Sequence, residues 1–579
     1  MRAPEGRRTL SVHAKNAPGD SEKSARFEAL RTALNYHERT KHHYHRYAAS
    51  PGFMDWDTQP DPFRRYHDAL LVRLRLPSMD GTPPYRDVFA PGAVDAKPLS
   101  FETLSDFFFY SLSLSAWKEY GQNRWSLRVN PSSGNLHPTE GYVVAPAMPG
   151  IHTLSAVYHY APKEHGLERR TEMSEETWKS LMRSFPPDAF LIGLASIHWR
   201  ESWKYGERAY RYCQHDAGHA LAALRISAAV QGWGLHVLDE VSDERAEQLL
   251  GLDRPDGFLP EERETPDMLA VVLPRGALSD PLRRVRDIPE DAARTIARGA
   301  WTGAANKLSA GHVAWDSIEA VSQACRKNIP VAVPRPDTAA LPLSTTRPGR
   351  RALAGKIIRQ RRSALAMDGA VSLTRDGFYS MLAKVVPTSS SVPWDAIEWA
   401  GLVHLGLFVH RVDGLKAGLY VLVRDPSKLN FVKRQMKPEF LWDPAPGAPD
   451  GLRLYLLKDG DFRTTAAGVS CGQAIAGDGV FSLGMLAEFE PALLKYGAQL
   501  YRNLFWETGM IGQVLYLEAE AWGVRATGIG CFFDDPVHEI FGLRDRSLQS
   551  LYHFTVGGAI EDTRLASMSP YPDFGLDGR

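Results

Sequence analysis

A short apolar run, GYVVAP (141–146), follows directly on a polar stretch, RVNPSSGNLHPTE (128–140). Pro131 and Pro138 each lack an N–H, so the polar stretch cannot be a helix interior. The pattern predicts a turn that presents Ser132, Ser133, Asn135 and His137 beside a buried strand. Similar apolar runs recur at VYHYAP (157–162), GLYVLVRDP (418–426) and LYHFTVGGA (551–559). Residues 204–252 read as a long helix beginning near KYG, with alanine and glycine on one face. Gly232 ends that helix in the C′ manner, and a short strand and a second helix close at Gly251-Leu252.

That second pattern occurs twice. Residues 204–252 and 495–543 align without a gap over 49 positions at an offset of 291. The identities include Lys204/Lys495, Tyr205/Tyr496, Gly218/Gly509, Gly232/Gly523 and Asp243/Asp534. The chain therefore reads as two copies of one α+β domain, a pseudo-dimer within one polypeptide. The expected boundaries are a disordered N-terminus (1–35), an extension (36–89), domain 1 (90–285), a linker (286–349) rich in Pro, Ser and Thr towards its end, domain 2 (350–566) and a tail (567–579).

Composition narrows the function. Of 579 residues, 68 are Lys or Arg and 68 are Asp or Glu, so the formal charge is zero. This argues against a strongly basic nucleic-acid binder. No run is long and apolar enough for a membrane span, and no signal-peptide core is present, so a soluble cytoplasmic protein is expected. Cys213, Cys325, Cys471 and Cys531 lie far apart, without CxxC spacing, and reduced thiols are expected. His37, His42, His43 and His45 cluster without a cysteine or acidic partner at ligand spacing, so no metal site is expected.

Two further stretches carry candidate chemistry. KIIRQRRSALAMDG (356–369) places Arg361, Arg362 and Ser363 together, donors suited to an anion. ATGIGCFFDD (526–535) sets Gly528 and Gly530 around Ile529, where backbone could approach a flat ligand. Its counterpart in the first copy is Val237-Leu238-Asp239. Neither stretch is a Rossmann fingerprint.

PSSGNLHPTEGYVV resembles the flavin-contacting loop of the nitroreductase superfamily, and is most similar to its SagB-type, azoline-oxidising dehydrogenase branch. RRSALAMDG, ATGIGCFFDD and the closing EDTR resemble other FMN-contacting elements of that fold, and 36–47 and 56–66 resemble its usual N-terminal extension. The resemblance covers most of 36–566. It implies fused α+β domains with a central antiparallel or mixed sheet and surrounding helices, holding FMN between the halves. It implies that Arg361, Arg362, Ser363 and Arg564 hold the phosphate. Gly528, Ile529 and Gly530 would lie near the ring, and Pro131, Ser132, Ser133 and Asn135 would bond its polar edge from the other half. The branch's Lys-Tyr pair falls on Lys204 and Tyr205. Domain 1 has no RRS, and domain 2 has only PTSSSVPW (387–394) in place of PSSGN. One complete FMN site per chain is therefore expected. The implied activity is hydride transfer at flavin N5 on a small heterocyclic or peptide-derived substrate. NAD(P)H-dependent reduction of nitro or quinone compounds and a non-catalytic scaffold role are the alternatives.

Overall fold

A computed structural model of the chain describes residues 20–254, 257–274, 287–328, 352–399 and 401–572. Two seven-stranded antiparallel sheets dominate it. From edge to edge the first runs Leu70–Arg73, Gly166–Met173, Ser155–Ala161, Thr139–Ala145, Phe190–Ile197, Glu264–Leu273 and Gly234–Val237. The second runs Asp443–Pro444, Leu454–Asp459, Gly418–Leu422, Val403–Val409, Phe481–Glu488, Leu548–Gly557 and Arg525–Ile529. Six strands correspond in order; the first edge strands differ, Leu70–Arg73 coming from ahead of domain 1 and Asp443–Pro444 from between two strands of its own sheet. The VYHYA and GLYVL runs take the third place in each sheet, and the repeat windows supply each final edge strand. The fold is thus two fused α+β domains that share the order of six strands, in keeping with the internal repeat.

The KYG segments lie differently from the sequence expectation. They close the short helices His198–Tyr205 and Glu490–Tyr496, and the long helices Ala209–Val230 and Leu500–Ala521 begin a few residues later. The break falls at Gly206 and Gly497, whose φ values are +56° and +92°. A Cβ on Gly206 would stand 2.4 Å from the Ala49 carbonyl oxygen, so glycine is needed there for space as well as conformation.

The long helices pack on each other at the centre of the molecule, and every residue of Ala209–Val230 is buried. They cross at Gly218 and Gly509. A Cβ at 218 would lie 2.2 Å from the Trp506 carbonyl oxygen, and one at 509 would lie 2.2 Å from that of His215. The shared glycines therefore mark the closest backbone approach. One continuous apolar core runs through this crossing and joins both sheets.

Several expected boundaries shift. Residues 20–35 form part of the helix Asp20–Arg39. Its Ala33, Tyr36 and His37 are buried, and the Tyr36 hydroxyl donates to the Glu207 carbonyl at 2.5 Å. Residues 287–328, placed in the linker from sequence, include the helices Glu290–Ala297 and Asp316–Ala324. The first buries Ala292, Ala293 and Ile296 in the domain 1 core, and the second buries Ile318 and Val321. The Pro-rich segment that suggested the linker, like the 285/286 and 349/350 boundaries, lies outside the described residues. The strand Ala566–Met568, which runs from the end of domain 2 into the tail, pairs with Leu114–Tyr120 of domain 1. Buried Tyr571 accepts from the Leu114 N–H at 2.9 Å and donates to the Pro162 carbonyl at 2.8 Å.

Candidate functional site

The helix crossing leaves a cavity of about 510 Å³ between the two domains. Domain 1 lines it with the 131–137 loop, the hairpin Leu114–Tyr120/Asn123–Arg128, Tyr205 and one face of the long helix. Domain 2 contributes Arg361 to Leu365, Tyr516, Thr527 to Cys531 and Tyr552. Pro131, Ser132, Ser133, Asn135, Tyr205, Arg361, Arg362, Ser363, Gly528, Ile529 and Gly530 all border this one space. They come from segments up to several hundred residues apart.

One end is cationic. The Ala354–Gln360 helix of domain 2 lies against domain 1 and ends at Arg361. Arg361 is buried; one Nη donates to the Arg128 carbonyl at 3.0 Å, while Nε and the other Nη have no partner among the described residues. Arg362 donates to the carbonyls of Arg359 (2.9 Å), Arg361 (2.6 Å) and Ser115 (3.2 Å). Among the described residues neither forms an ion pair with a carboxylate. Burial pulls the Arg361 guanidinium down to about 10; burial, then Arg361 and Arg359, pulls Arg362 down to about 9. Desolvated, mutually repelling cations with free donors are what an anion would stabilise. Beside them the Tyr516 hydroxyl accepts the Gly528 N–H at 3.0 Å and lies 2.9 Å from Ser363 Oγ.

The other end is walled by aromatic rings and a buried acid. A Cβ on Gly528 would meet the Tyr552 hydroxyl at 1.9 Å, and one on Gly530 would meet the Tyr212 ring at 2.3 Å. These glycines are therefore required first by tyrosines that face the same cavity. Ile529 borders the space, but its side chain belongs to the domain 2 core with Val537 and Phe541. Asp216, from the long helix of domain 1, accepts from the Ser133 N–H and Oγ, each at 3.1 Å. Burial nevertheless raises it to about 7. The buried Glu201 carboxyl is raised well above its usual range by burial and then by Asp216.

The polar loop is largely occupied with its own geometry. Gly134, Asn135 and His137 all have positive φ. Asn135 donates to the Ser126 carbonyl at 2.8 Å and bonds the His137 ring at 3.0 Å, while Ser132 Oγ accepts the His137 N–H at 2.8 Å. The Tyr205 and Tyr212 rings meet at a tilt of 57° with centroids 4.6 Å apart, and burial raises the Tyr205 hydroxyl well above the usual range. Lys204 does not border the cavity; its ammonium lies 5.3 Å from the Tyr205 ring. Arg564 also lies off the lining. Its side chain is 71% exposed and forms a two-pronged pair with Asp562, both contacts at 2.8 Å. The EDTR segment supplies its own counter-ion two residues earlier, which the sequence reading overlooked. Arg525 borders the cavity instead, paired with Glu520.

Sequence reasoning also passed over Asp216, His219, Tyr212, Tyr516 and Tyr552. The signal for the first two was present: QHDAGH sets ionisable groups in the middle of a helix otherwise built of small and apolar residues. Such groups survive burial only with a partner or a function.

The pseudo-symmetric position differs. Val237, Asp239, Tyr496 and Asn503 stand where Gly528, Gly530, Tyr205 and Tyr212 stand in the large cavity. They surround a void of only about 30 Å³, closed by Lys327, Trp399 and Trp506.

Residues 95–259 match the profile described as "Nitroreductase family". A Methanocaldococcus jannaschii protein named "Putative nitroreductase MJ1384" is 23% identical over 161 residues, 27% of this chain and 76% of that protein. The crystal structure of an Anabaena variabilis protein described as a "putative nitroreductase" superposes with a TM-score of 0.62 at 22% identity. That alignment covers 91% of this chain and 99% of the other, so the two-domain fold is shared across nearly the whole molecule. No helix among the described residues is long and apolar enough to cross a membrane.

Proposed function

We propose that this chain is an FMN-dependent oxidoreductase of nitroreductase type, with one cofactor per chain held between its two domains. The observation that carries this reading is the buried Arg361, which has two donor nitrogens free at the wall of a cavity that both domains build. The donor set fits the cofactor. Arg361, Arg362 and Ser363 offer an anion site for the phosphate. The space towards Tyr205 and Tyr212 is lined by their rings, with Ser132 and Ser133 beside them. The 30 Å³ void at the mirror position supports a single site. Arg564 is left out of the phosphate site, and Arg525 is its proposed replacement.

Bound FMN would supply hydride chemistry at its ring. The chain's own residues do the rest. Tyr205, held protonated by burial, is a proton donor at the cavity wall. Lys204 acts only through the Tyr205 ring. Asp216, poised near neutrality, holds the Ser133 backbone and is a proton reservoir behind the loop. The PSSGNLHP loop supports the dehydrogenase branch, and we assign a small heterocyclic or peptide-derived substrate.

The test is the visible spectrum of the purified protein with released flavin counted per chain. About one FMN per chain, lost in the Arg361→Ala/Arg362→Ala variant, is the expected result. Two per chain would overturn the single site, and none after reconstitution would overturn the oxidoreductase reading. Rapid bleaching by NADH would move the assignment to a nitro or quinone reductase.

A further inference from the structure

The 128–140 turn presents Ser132, Ser133, Asn135 and His137, and the family resemblance gives a task to all but the last. His137 borders the cavity and is only 2% exposed. Its backbone sits in the left-handed region at φ +55°, where a residue other than glycine stays only if its surroundings hold it. Three bonds do so. Ser132 Oγ accepts its N–H at 2.8 Å, the buried Arg200 guanidinium donates to its carbonyl at 2.8 Å, and its Nε2 lies 3.0 Å from Asn135 Oδ1. Arg200 is itself held by an ion pair with buried Glu140. The remaining polar atom, Nδ1, is buried and has no partner among the described residues.

These contacts settle which ring nitrogen carries the hydrogen. Asn135 Nδ2 lies 2.8 Å from the Ser126 carbonyl. A carbonyl oxygen cannot donate, so the atom facing it must be the amide nitrogen. Asn135 Oδ1 is then turned to the imidazole and can only accept, so Nε2 bears the hydrogen. Burial first, then the Arg128 and Arg200 charges, hold the imidazole well below its usual pKa, and the ring is neutral. Nδ1 is therefore a bare lone pair in the cavity wall, an acceptor that is costly to leave unmatched. An ionised phosphate or carboxylate oxygen, itself an acceptor, cannot satisfy it. An O–H or N–H can.

We propose, on the flavin assignment above, that His137 reads the uncharged body of the cofactor, its Nδ1 accepting a hydrogen bond from a ligand O–H or N–H. FMN offers two sources of that donor: the hydroxyls of its ribityl chain and the imide N–H of its oxidised ring. The two ends of the cavity then divide recognition by hydrogen-bond polarity. Arg361 to Ser363 bring donors to the anionic tail, and His137 brings an acceptor to the neutral part. The Arg200, Ser132 and Asn135 contacts hold that acceptor in place before the ligand arrives.

The test titrates FMN into flavin-stripped full-length protein at about pH 8, by flavin fluorescence, for the unmutated chain, His137→Gly and His137→Asn. Glycine and asparagine both accept the left-handed backbone, so the turn is kept. Glycine removes the acceptor, whereas the asparagine amide oxygen can stand where Nδ1 stands. The expected result is about a tenfold loss of FMN affinity in His137→Gly, most of it recovered in His137→Asn. Inorganic phosphate alone, followed by thermal shift, should bind all three chains equally. With 3-methyl-FMN, which lacks the imide N–H, the glycine penalty persists if a ribityl hydroxyl is the donor and disappears if the ring is. FMN affinity in His137→Gly within about threefold of the unmutated chain, no recovery in His137→Asn, or a matching fall in phosphate binding would each overturn the role of His137 and leave the flavin assignment standing. Failure of FMN to bind the unmutated chain would overturn both.

Discussion

Arg361 offers the sharpest test of the anion end, because its burial sets up opposite effects in the free and loaded protein. A shift from 12.5 to about 10 corresponds to ~3 kcal/mol of charge-burial cost in the ligand-free fold. The sign follows from linkage: the folded-state value of this cation is depressed, so the cost is full at neutral pH and fades only as pH rises through about 10. Arg361→Met removes the charge but also the 3.0 Å bond to the Arg128 carbonyl, worth about 1 kcal/mol. The ligand-free variant should therefore be as stable as the unmutated chain, or about 1–2 kcal/mol more stable. In the protein loaded with FMN as proposed, the balance should reverse. Losing a charge-assisted bond to phosphate costs about 1.5–3 kcal/mol, or roughly 10- to 150-fold in FMN affinity. The assay is chemical denaturation of flavin-stripped protein, paired with a flavin-fluorescence titration of both chains. FMN affinity within threefold of the unmutated chain, or a ligand-free loss above about 2 kcal/mol, would refute the reasoning; the second result would make Arg361 a structural residue.

Other substitutions test the remaining geometry. Gly218→Ala places a methyl 2.2 Å from the Trp506 carbonyl, so it should cost at least about 2 kcal/mol of stability by denaturant midpoint, because backbone must move. Gly528→Ala collides with the Tyr552 hydroxyl at 1.9 Å, and pairing it with Tyr552→Ala should recover part of the lost flavin binding in the same titration. Asp216 is raised from 3.8 to about 7, so its contribution to stability is present in acid and is lost as pH rises through 7. Asp216→Asn should remove that decline from a stability-versus-pH curve and be more stable than the unmutated chain at pH 8; an unchanged slope between pH 5 and 8 would assign the titration elsewhere.

Much was legible in the sequence because it depends on local or repeated signals. The ungapped repeat implied two domains of one topology, since identical patterns bury the same faces. The prolines and small residues of 128–140 implied a turn, because their backbone permits little else. Donor chemistry alone singled out the RRS run as the candidate anion site that is proposed here. Short-range reading failed where neighbours distant in sequence decide the outcome. Arg564 looked like a phosphate ligand until the turn set it on Asp562. Gly528 and Gly530 looked like room for a ligand, yet first make room for Tyr552 and Tyr212. The N-terminus was read as disordered for its polarity and 286–349 as linker for its Pro, Ser and Thr; 20–35 and parts of 287–328 are helical because the fold covers residues such as Ala33, Ala293 and Val321. The cavity tyrosines Tyr212, Tyr516 and Tyr552 had no counterpart in spacing at all. Sequence fixes each residue's chemistry and its immediate backbone freedom. Which charges lose their water is decided by packing between segments that only the folded chain brings together.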